Sequence, residues 1–566
     1  MAGVARAAVT AAVAASAAAA ALGVAATAVS AASGAVPFAS AHGMRTAIRR
    51  GTKLLATVGP ASSQPDVLRR MVDAGGTLGA RASARVRLPW AVVLTRRPPL
   101  ATRFARTVDM VRFNFSHGTH EDHLARVNLV NEVRAVAGVP LAMLQDLCGP
   151  KIRTTPTPDN RLIALRPGDT FTIVSSKDVL GDPHTRTTGT IYEALAQEVQ
   201  PGDRILLSDG LIAVEVRDIV DRAKIVCTVL NGGALKGSQG INVPSSAMNV
   251  AAVTPKDVAD LEFGMAHGFD WVAASFVRSP ADILQLRGEM DRINRAAPRK
   301  HLPRVMAKIE KPQALDRLDS ILDVVDGIMV ARGDLGVEMR PEEVPIAQKR
   351  IVAACNRRGI PVVVATQMLE SMIQYPRPTR AEVSDVCNAI FDGADACMLS
   401  AETASGAFPV ESVQVMQEVA AIARANPEVD TSITQQLRAR RLLTGEAALA
   451  AGAVGDVATG RPVCPPTVAE THDVPPPLPG SLFQPGDSAE HLLAIQQESL
   501  GAAAAYLARE IHAAAIVVFT FTGRTALAVA KHRPTVPIFA FTTSPEVARQ
   551  VSRARVRVGT GPKRRH

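Results

Sequence analysis

Two neighbouring stretches decide the fold: Arg304-Val305-Met306-Ala307-Lys308-Ile309-Glu310 and Gly327-Ile328-Met329-Val330-Ala331-Arg332-Gly333-Asp334. Each is a short run rich in Val, Ile, Met and Ala, without the alternation of a half-exposed strand, and each closes abruptly on charged groups. Runs of this kind fit strands buried on both faces of a parallel sheet. Working outward, six more share the grammar: Lys53 to Val58, Met110 to Phe115, Leu141 to Gln145, Trp271 to Phe276, Pro361 to Ala365 and Ala396 to Leu399. Stretches with helical spacing, such as Val344 to Asn356 and Thr379 to Phe391, separate the later runs. Eight strand–helix units predict an α/β protein built on a (β/α)8 TIM barrel, whose catalytic groups gather at the carboxyl ends of the strands.

The unusual polar residues stand at those ends. Arg112, Asn114 and Ser116 punctuate the second run, Asp146 closes the third, Ser275 the fourth, and Lys308 with Glu310 the fifth. Arg332 to Asp334 follow the sixth, Thr366 the seventh, and Ser400 with Glu402 the eighth. Glu310 and Asp334 offer carboxylate oxygens to Mg²⁺, or Mn²⁺ in its place, and Lys308 sets an ammonium beside them. The glycines around Gly333 let backbone amides approach an anion. With Arg112 and Arg153 as further cations, the cleft suits a small phosphorylated carboxylic acid.

Residues 154–250 change texture. Alternating strands, Phe171 to Val174 and Ile205 to Leu207, are separated by Pro167-Gly168-Asp169, Pro201-Gly202-Asp203, Asp209-Gly210 and Asn231-Gly232-Gly233, which predicts a small β-barrel domain inserted after the third strand as a lid. The barrel then occupies residues 45–153 and 251–425. An atypical insertion at 76–107 carries seven Arg and no acid, and its composition fits a retained intron as well as a genuine loop. A Pro-rich linker spans 426–495, with eight prolines between Pro462 and Pro485, and an α/β domain follows at 496–566.

With 566 residues, 47% apolar and 20% charged, the chain is an ordinary globular protein of about three to five domains. A lone binding module and a mostly disordered chain are excluded. The net charge of +10 sits in the insertion and in residues 1–65, which hold Arg6, Arg45, Arg49, Arg50 and Lys53 and no acid. The remainder, 51 basic against 53 acidic residues, is near neutral, so no nucleic-acid partner is expected. Six scattered cysteines without a C-x-x-C pair indicate a reducing compartment and no zinc site. Residues 1–44, Ala-rich and acid-free, fit a transit peptide to a plastid or mitochondrion, the cytoplasm being the alternative. No membrane association is expected.

The stretch from Val305 to Lys311 resembles the active-site signature of the pyruvate kinase family. Lys53 to Ser62, Val111 to Gly118, Gly327 to Gly336, Ala365 to Met372 and Pro376 to Asp385 continue the resemblance, which covers about residues 51–75 and 108–425 and, more weakly, 497–550. It implies phosphoryl transfer from phosphoenolpyruvate to ADP, giving pyruvate and ATP. Carried onto this sequence, Glu310 and Asp334 hold Mg²⁺, Lys308 and Arg112 meet the phosphoryl group, and Gly333, Asp334 and Thr366 bind the substrate carboxylate, with Thr366 relaying a proton. Arg153 serves the nucleotide. K⁺, held in many members at positions matching Asn114, Ser116, Asp146 and the Leu147 carbonyl, is expected not to be required, because Lys151 stands where K⁺-dependent members carry Glu. A homotetramer is the expected assembly if the C-terminal domain folds. That domain looks incomplete after Gln550, lacking half of the family's effector pocket. The alternatives are a catalytically impaired homologue with a regulatory or scaffold role and another phosphoenolpyruvate-handling barrel such as a dikinase, which would bring a phosphohistidine domain.

Overall fold

Eight parallel strands hydrogen-bond in a closed circle: β1 (Lys53–Thr57), β2 (Met110–Asn114), β3 (Ala142–Asp146), β4 (Trp271–Ala274), β5 (Arg304–Ile309), β6 (Gly327–Ala331), β7 (Val362–Ala365) and β8 (Ala396–Leu399). The structure, a computed structural model, describes residues 52–73, 108–425 and 500–560, apart from a few positions within the last two stretches. The expected transit peptide, the insertion at 76–107 and the linker at 426–495 lie outside the described residues. Among the described residues, no helix is long and apolar enough to cross a membrane.

The strands read as continuous apolar runs because each has a core on both faces. Inward-facing side chains Leu55, Met110, Leu144, Trp271, Met306, Met329, Val363 and Met398 fill the barrel. Their neighbours in the chain, such as Leu54, Val111, Met143, Val305 and Ile328, pack outward beneath the helices. This period of two also aims the chemistry. Two residues beyond Met110 is Arg112, beyond Leu144 is Asp146, beyond Ala273 is Ser275, and beyond Met306 is Lys308, so the inward column of each strand ends in a polar group at its carboxyl end. The helices between them carry built-in starts. Thr254 caps Pro255–Ala266 and Thr379 caps Arg380–Asp392, each reciprocally with the acid three residues on, Asp257 and Glu382.

The inserted domain pairs six strands in the order Ile241–Asn242, Arg204–Leu207, Ile212–Val220, Lys224–Asn231, Thr170–Val174 and Thr187–Gly189, plus a ribbon of Ile163–Leu165 with Gly233–Leu235. These strands do not close a full hydrogen-bonded circle as a small β-barrel would, because the ribbon strands pair only with each other. Apolar packing closes the unit instead, around Ile163, Phe171, Ile205, Val214 and Ile225. The C-terminal domain has three parallel strands, Ile516–Phe519, Ile538–Thr542 and Val556–Thr560. The last lies in the segment where the family resemblance fades, and it still pairs in parallel with Ile538–Thr542, the second pairing of this sheet. The domain docks on the barrel through Arg549 Nε, 2.7 Å from Asp270 Oδ1, and through Arg304 Nη2, which donates to the Thr522 carbonyl at 3.1 Å.

Candidate active site at the strand ends

Four buried charges meet where β2, β3 and β5 end. Arg112 donates from Nε to Asp146 Oδ2 at 2.6 Å and from Nη1 to Thr57 Oγ1 at 3.1 Å. Lys308 Nζ lies 2.7 Å from Glu310 Oε1 and 3.3 Å from Asp146 Oδ1, and it donates to Ser275 Oγ at 2.7 Å. Asp146 is 1% and Glu310 0% exposed. Buried charges of this kind persist only when paired, and here two cations face two carboxylates.

The pairing sets the protonation states. Burial alone would raise the Asp146 carboxyl, but the Lys308 and Arg112 cations outweigh it and hold the group below the usual range. Burial pulls the Lys308 ammonium toward neutrality, and Asp146, Glu310 and Asp334 together hold it above an ordinary lysine. Glu310 goes the other way: burial pushes its carboxyl up to about 7, against Lys308 and with the help of the Asp334 charge. The site is a fixed cation beside a carboxylate that changes state near neutrality.

The donor set fits a divalent cation. Glu310 Oε1 and Asp146 Oδ1 are buried, and both face the Lys308 ammonium, at 2.7 and 3.3 Å. Asp334, in the first turn of the helix Arg332–Glu338, adds a half-exposed carboxylate. Among the described residues no cluster of three or more His, Cys, Asp or Glu side chains is gathered for a metal. A site of one or two carboxylates, completed by substrate and water oxygens, matches the habit of Mg²⁺.

Thr366 follows β7 in a left-handed conformation, φ 75°, with Gln367 also left-handed at 55°. For a β-branched residue this is a strained state that only surrounding contacts maintain. Arg332 supplies them, donating from Nη2 to the Thr366 carbonyl at 2.6 Å and from Nε to the Ala365 carbonyl at 3.2 Å, while Nη1 holds Asp385 at 2.7 Å. Gly333 is placed where a Cβ would come within 2.7 Å of Thr366 Cγ2. The backbone at the start of this helix therefore touches the Thr366 side chain.

The remaining candidates divide between two places. Asn114 pairs in register with Asp146, and its Oδ1 accepts from the Ser116 amide at 3.1 Å; the Leu147 carbonyl accepts from Ser275 Oγ at 2.8 Å. Lys151 makes no hydrogen bond or ion pair with any of these. Its ammonium lies 3.1 Å from Asp209 Oδ1 of the lid and 3.4 Å from Asp334 Oδ1, so it ties lid to barrel. Arg153, at the lid hinge, donates to the Ser238 carbonyl at 3.1 Å. At the eighth strand end, Glu402 is buried and accepts the Leu369 and Ser400 amides, a structural task.

Four residues of this cleft carry no assignment from sequence. His117 is lowered by burial and then by Arg153, Arg112 and Lys151, which marks the cationic field of the cleft. Arg332 clamps the Thr366 turn. Ser275 and Phe276 hold Lys308 and Glu310, the Phe276 amide donating to Glu310 Oε2 at 2.5 Å. Ser275 at a strand end and Arg332 before Gly333 are visible in the sequence, but their partners are 33 residues away or more along the chain.

A closed (β/α)8 barrel with buried cations and carboxylates at its strand ends and a β lid hinged above them defines a barrel enzyme for small anionic substrates. Residues 97–413 match the family model of the pyruvate kinase barrel domain, and residues 498–557 that of the pyruvate kinase alpha/beta domain. The pyruvate kinase of Bacillus licheniformis is 36% identical over 504 residues, 89% of this chain and 70% of that protein. Pyruvate kinase 2 of Synechocystis is 38% identical over 505 residues, 89% and 69% of the two chains. A crystal structure of a pyruvate kinase from Cryptosporidium parvum superposes with a TM-score of 0.70 at 30% identity, covering 91% of this chain and 88% of that one. The chain belongs to the pyruvate kinase family.

Proposed function

We propose that the chain transfers the phosphoryl group of phosphoenolpyruvate to ADP. The bridging P–O bond of the enol phosphate breaks, a terminal oxygen of ADP bonds to phosphorus, and the enolate left behind takes up one proton to become pyruvate. The observation that carries this is the Lys308 ammonium, a buried cation paired with the Glu310 and Asp146 carboxylates at the strand ends. Phosphoryl transfer needs positioning and charge neutralisation more than covalent chemistry.

Lys308 and Arg112 neutralise the moving phosphoryl oxygens, and Lys308 also faces the enolate. The Gly333 and Asp334 amides take the substrate carboxylate with Thr366, whose hydroxyl holds the proton destined for the enolate carbon. Arg153 and the lid cover the nucleotide phosphates and exclude water. Glu310 and Asp334 hold Mg²⁺ or Mn²⁺, which when bound supplies further positive charge to the phosphoryl oxygens. Turnover of phosphoenolpyruvate and ADP, coupled to lactate dehydrogenase and NADH, tests this directly. Purified, folded protein with no turnover above background in excess Mg²⁺ would identify a catalytically impaired homologue instead.

K⁺ is not required in this proposal, because Lys151 is a tethered cation at the mouth of the site. Burial opposes its charge, while Asp334 and Asp209 raise its pKa above the ordinary value, so it stays protonated. Stimulation beyond about tenfold on adding K⁺ to a tetramethylammonium buffer, ~1.4 kcal/mol of barrier, would show that Lys151 does not replace the ion. Import into a plastid or mitochondrion follows from the acid-free residues 1–44 and is tested by fusing them to a fluorescent protein. A homotetramer is proposed for the assembly, to be measured by light scattering.

A further inference from the structure

We propose that Asn242 is a positioning residue for Arg153: clamped to the buried Glu338, its side-chain amide fixes the hinge ribbon that carries Arg153 over the nucleotide side of the site. The inference rests on the function proposed above, which gives Arg153 to the nucleotide, and adds two residues with no role there.

The lid leaves and rejoins the barrel through two segments that pair as one ribbon. The Ile241 amide donates to the Ile152 carbonyl at 2.9 Å and the Thr154 amide to the Gln239 carbonyl at 2.8 Å, and between them Arg153 pairs with Gly240. Arg153 also donates from Nη1 to the Ser238 carbonyl at 3.1 Å. Its backbone and its guanidinium are therefore both placed by the returning segment. Asn242 stands on that segment, two residues beyond the partner of Arg153. Whatever holds Asn242 in place also places Arg153.

The barrel does the holding. Asn242 Nδ2 donates to Glu338 Oε1 at 2.6 Å, and the same oxygen accepts from Lys311 Nζ at 2.6 Å. An ionised carboxylate only accepts, so the orientation of the amide is fixed. Asn242 is 7% and Glu338 4% exposed; water competes little for the bond, and a charged acceptor makes it a strong one. For packing alone Asn242 is a costly choice, because its Oδ1 is buried and accepts no hydrogen bond among the described residues. The donor is what the position uses. A second tie joins the ribbon to the same helix, Arg332–Glu338, at its opposite end: Lys151 Nζ lies 3.4 Å from Asp334 Oδ1. That tie is longer and partly exposed, and its acceptor is also assigned to the metal. Glu338 carries no such second duty, since its other partner, Lys311, belongs to the barrel itself, next to Glu310.

Three measurements on the full-length protein test this: calorimetric titration with ADP, steady-state kinetics, and amide hydrogen exchange read by mass spectrometry. Asn242→Ala should speed exchange at the Thr154 and Ile241 amides by about tenfold or more, the scale of one hydrogen bond to a charged group, while the amides of β5 keep their wild-type protection. It should weaken ADP binding by about tenfold and leave KM for phosphoenolpyruvate within about threefold, because Lys308, Gly333 and Thr366 stand on the barrel. Loss of packing alone would not separate the two substrates in this way. Should Asn242→Ala not accumulate as folded protein, Asn242→Val carries the same expectations, since a β-branched side chain suits a strand and lacks the donor. The effects of Asn242→Ala and Glu338→Gln on ADP affinity should not multiply, because both act on one bond. Fully multiplicative effects, or ADP affinity unchanged in a folded Asn242 variant, overturn the inference. Arg153→Ala separates the two levels. If it leaves ADP binding intact, the nucleotide assignment fails and the inference with it; if it weakens binding while the Asn242 variant does not alter it, the clamp alone fails.

Discussion

Replacing Lys308 by Met removes the one group that touches both buried carboxylates. At an effective dielectric of about 20, the gross attractions across 2.7 and 3.3 Å are about 6 and 5 kcal/mol. Breaking a buried pair ordinarily destabilises by about 3–5 kcal/mol, because a charge is left uncompensated. Here the loss should be smaller. Asp146 keeps Arg112 at 2.6 Å, and Glu310, already pushed by burial to about 7, can take up a proton instead of staying charged. The fold should therefore survive with a modest fall in melting temperature. Turnover should not survive: losing one preorganised electrostatic donor costs about 10²- to 10³-fold in kcat, ~2.7–4 kcal/mol. KM for phosphoenolpyruvate should change less, since the lost contact strengthens as charge develops in the transition state. The lactate dehydrogenase-coupled assay, run beside circular dichroism melts, checks both parts. A folded Lys308→Met variant retaining more than half of the wild-type kcat would refute the assignment of the site.

Thr366→Gly should relieve the left-handed strain at φ 75° and raise unfolding stability by about 1 kcal/mol in urea melts, while lowering kcat through loss of the hydroxyl; unchanged kcat would remove Thr366 from the mechanism. Gly333→Ala places a methyl 2.7 Å from Thr366 Cγ2, so kcat should drop by about tenfold or more as the turn shifts by a few tenths of an ångström, and wild-type kinetics in this variant would show that the Gly333–Thr366 contact is slack. Metal binding should depend on pH. Because burial raises Glu310 to about 7, its proton must leave before the carboxylate can ligate, so Mn²⁺ affinity should fall as pH drops below about 7, with up to one proton released per ion bound. Calorimetric titrations in buffers of different ionisation enthalpy count that proton, and an affinity flat from pH 6 to 8 would contradict it. The same shift makes the metal-free protein lose stability as pH rises from about 4.5 to 7, the folded state being the one that binds the proton more tightly; metal-free melts at pH 5 and 8 read this sign.

The sequence by itself determined the barrel and the identity of most of its chemistry. Doubly buried strands leave a local signature, because Met306 faces the barrel axis while Val305 and Ala307 face the helices, and both neighbours must be apolar. The same alternation announces Lys308 and Glu310, polar residues on the inward column of a strand that is otherwise apolar. Helix starts at Thr254 and Thr379 are local as well. Other features could not be read locally. Trp271 to Phe276 looks like one run, yet β4 stops at Ala274, because the Ser275 hydroxyl and the Phe276 amide are drawn to Lys308 and Glu310. Lys151 is a hinge lysine in the sequence, and only the placement of lid against barrel sets it between Asp209 and Asp334. Arg332 could have faced solvent; the fold brings it to the Thr366 carbonyl and to Asp385. What a residue is and which way its strand points it are fixed within a few positions of chain, and they are legible there. The strength of its charge and the bonds it accepts depend on groups brought to it from distant strands, and those only the closed barrel supplies.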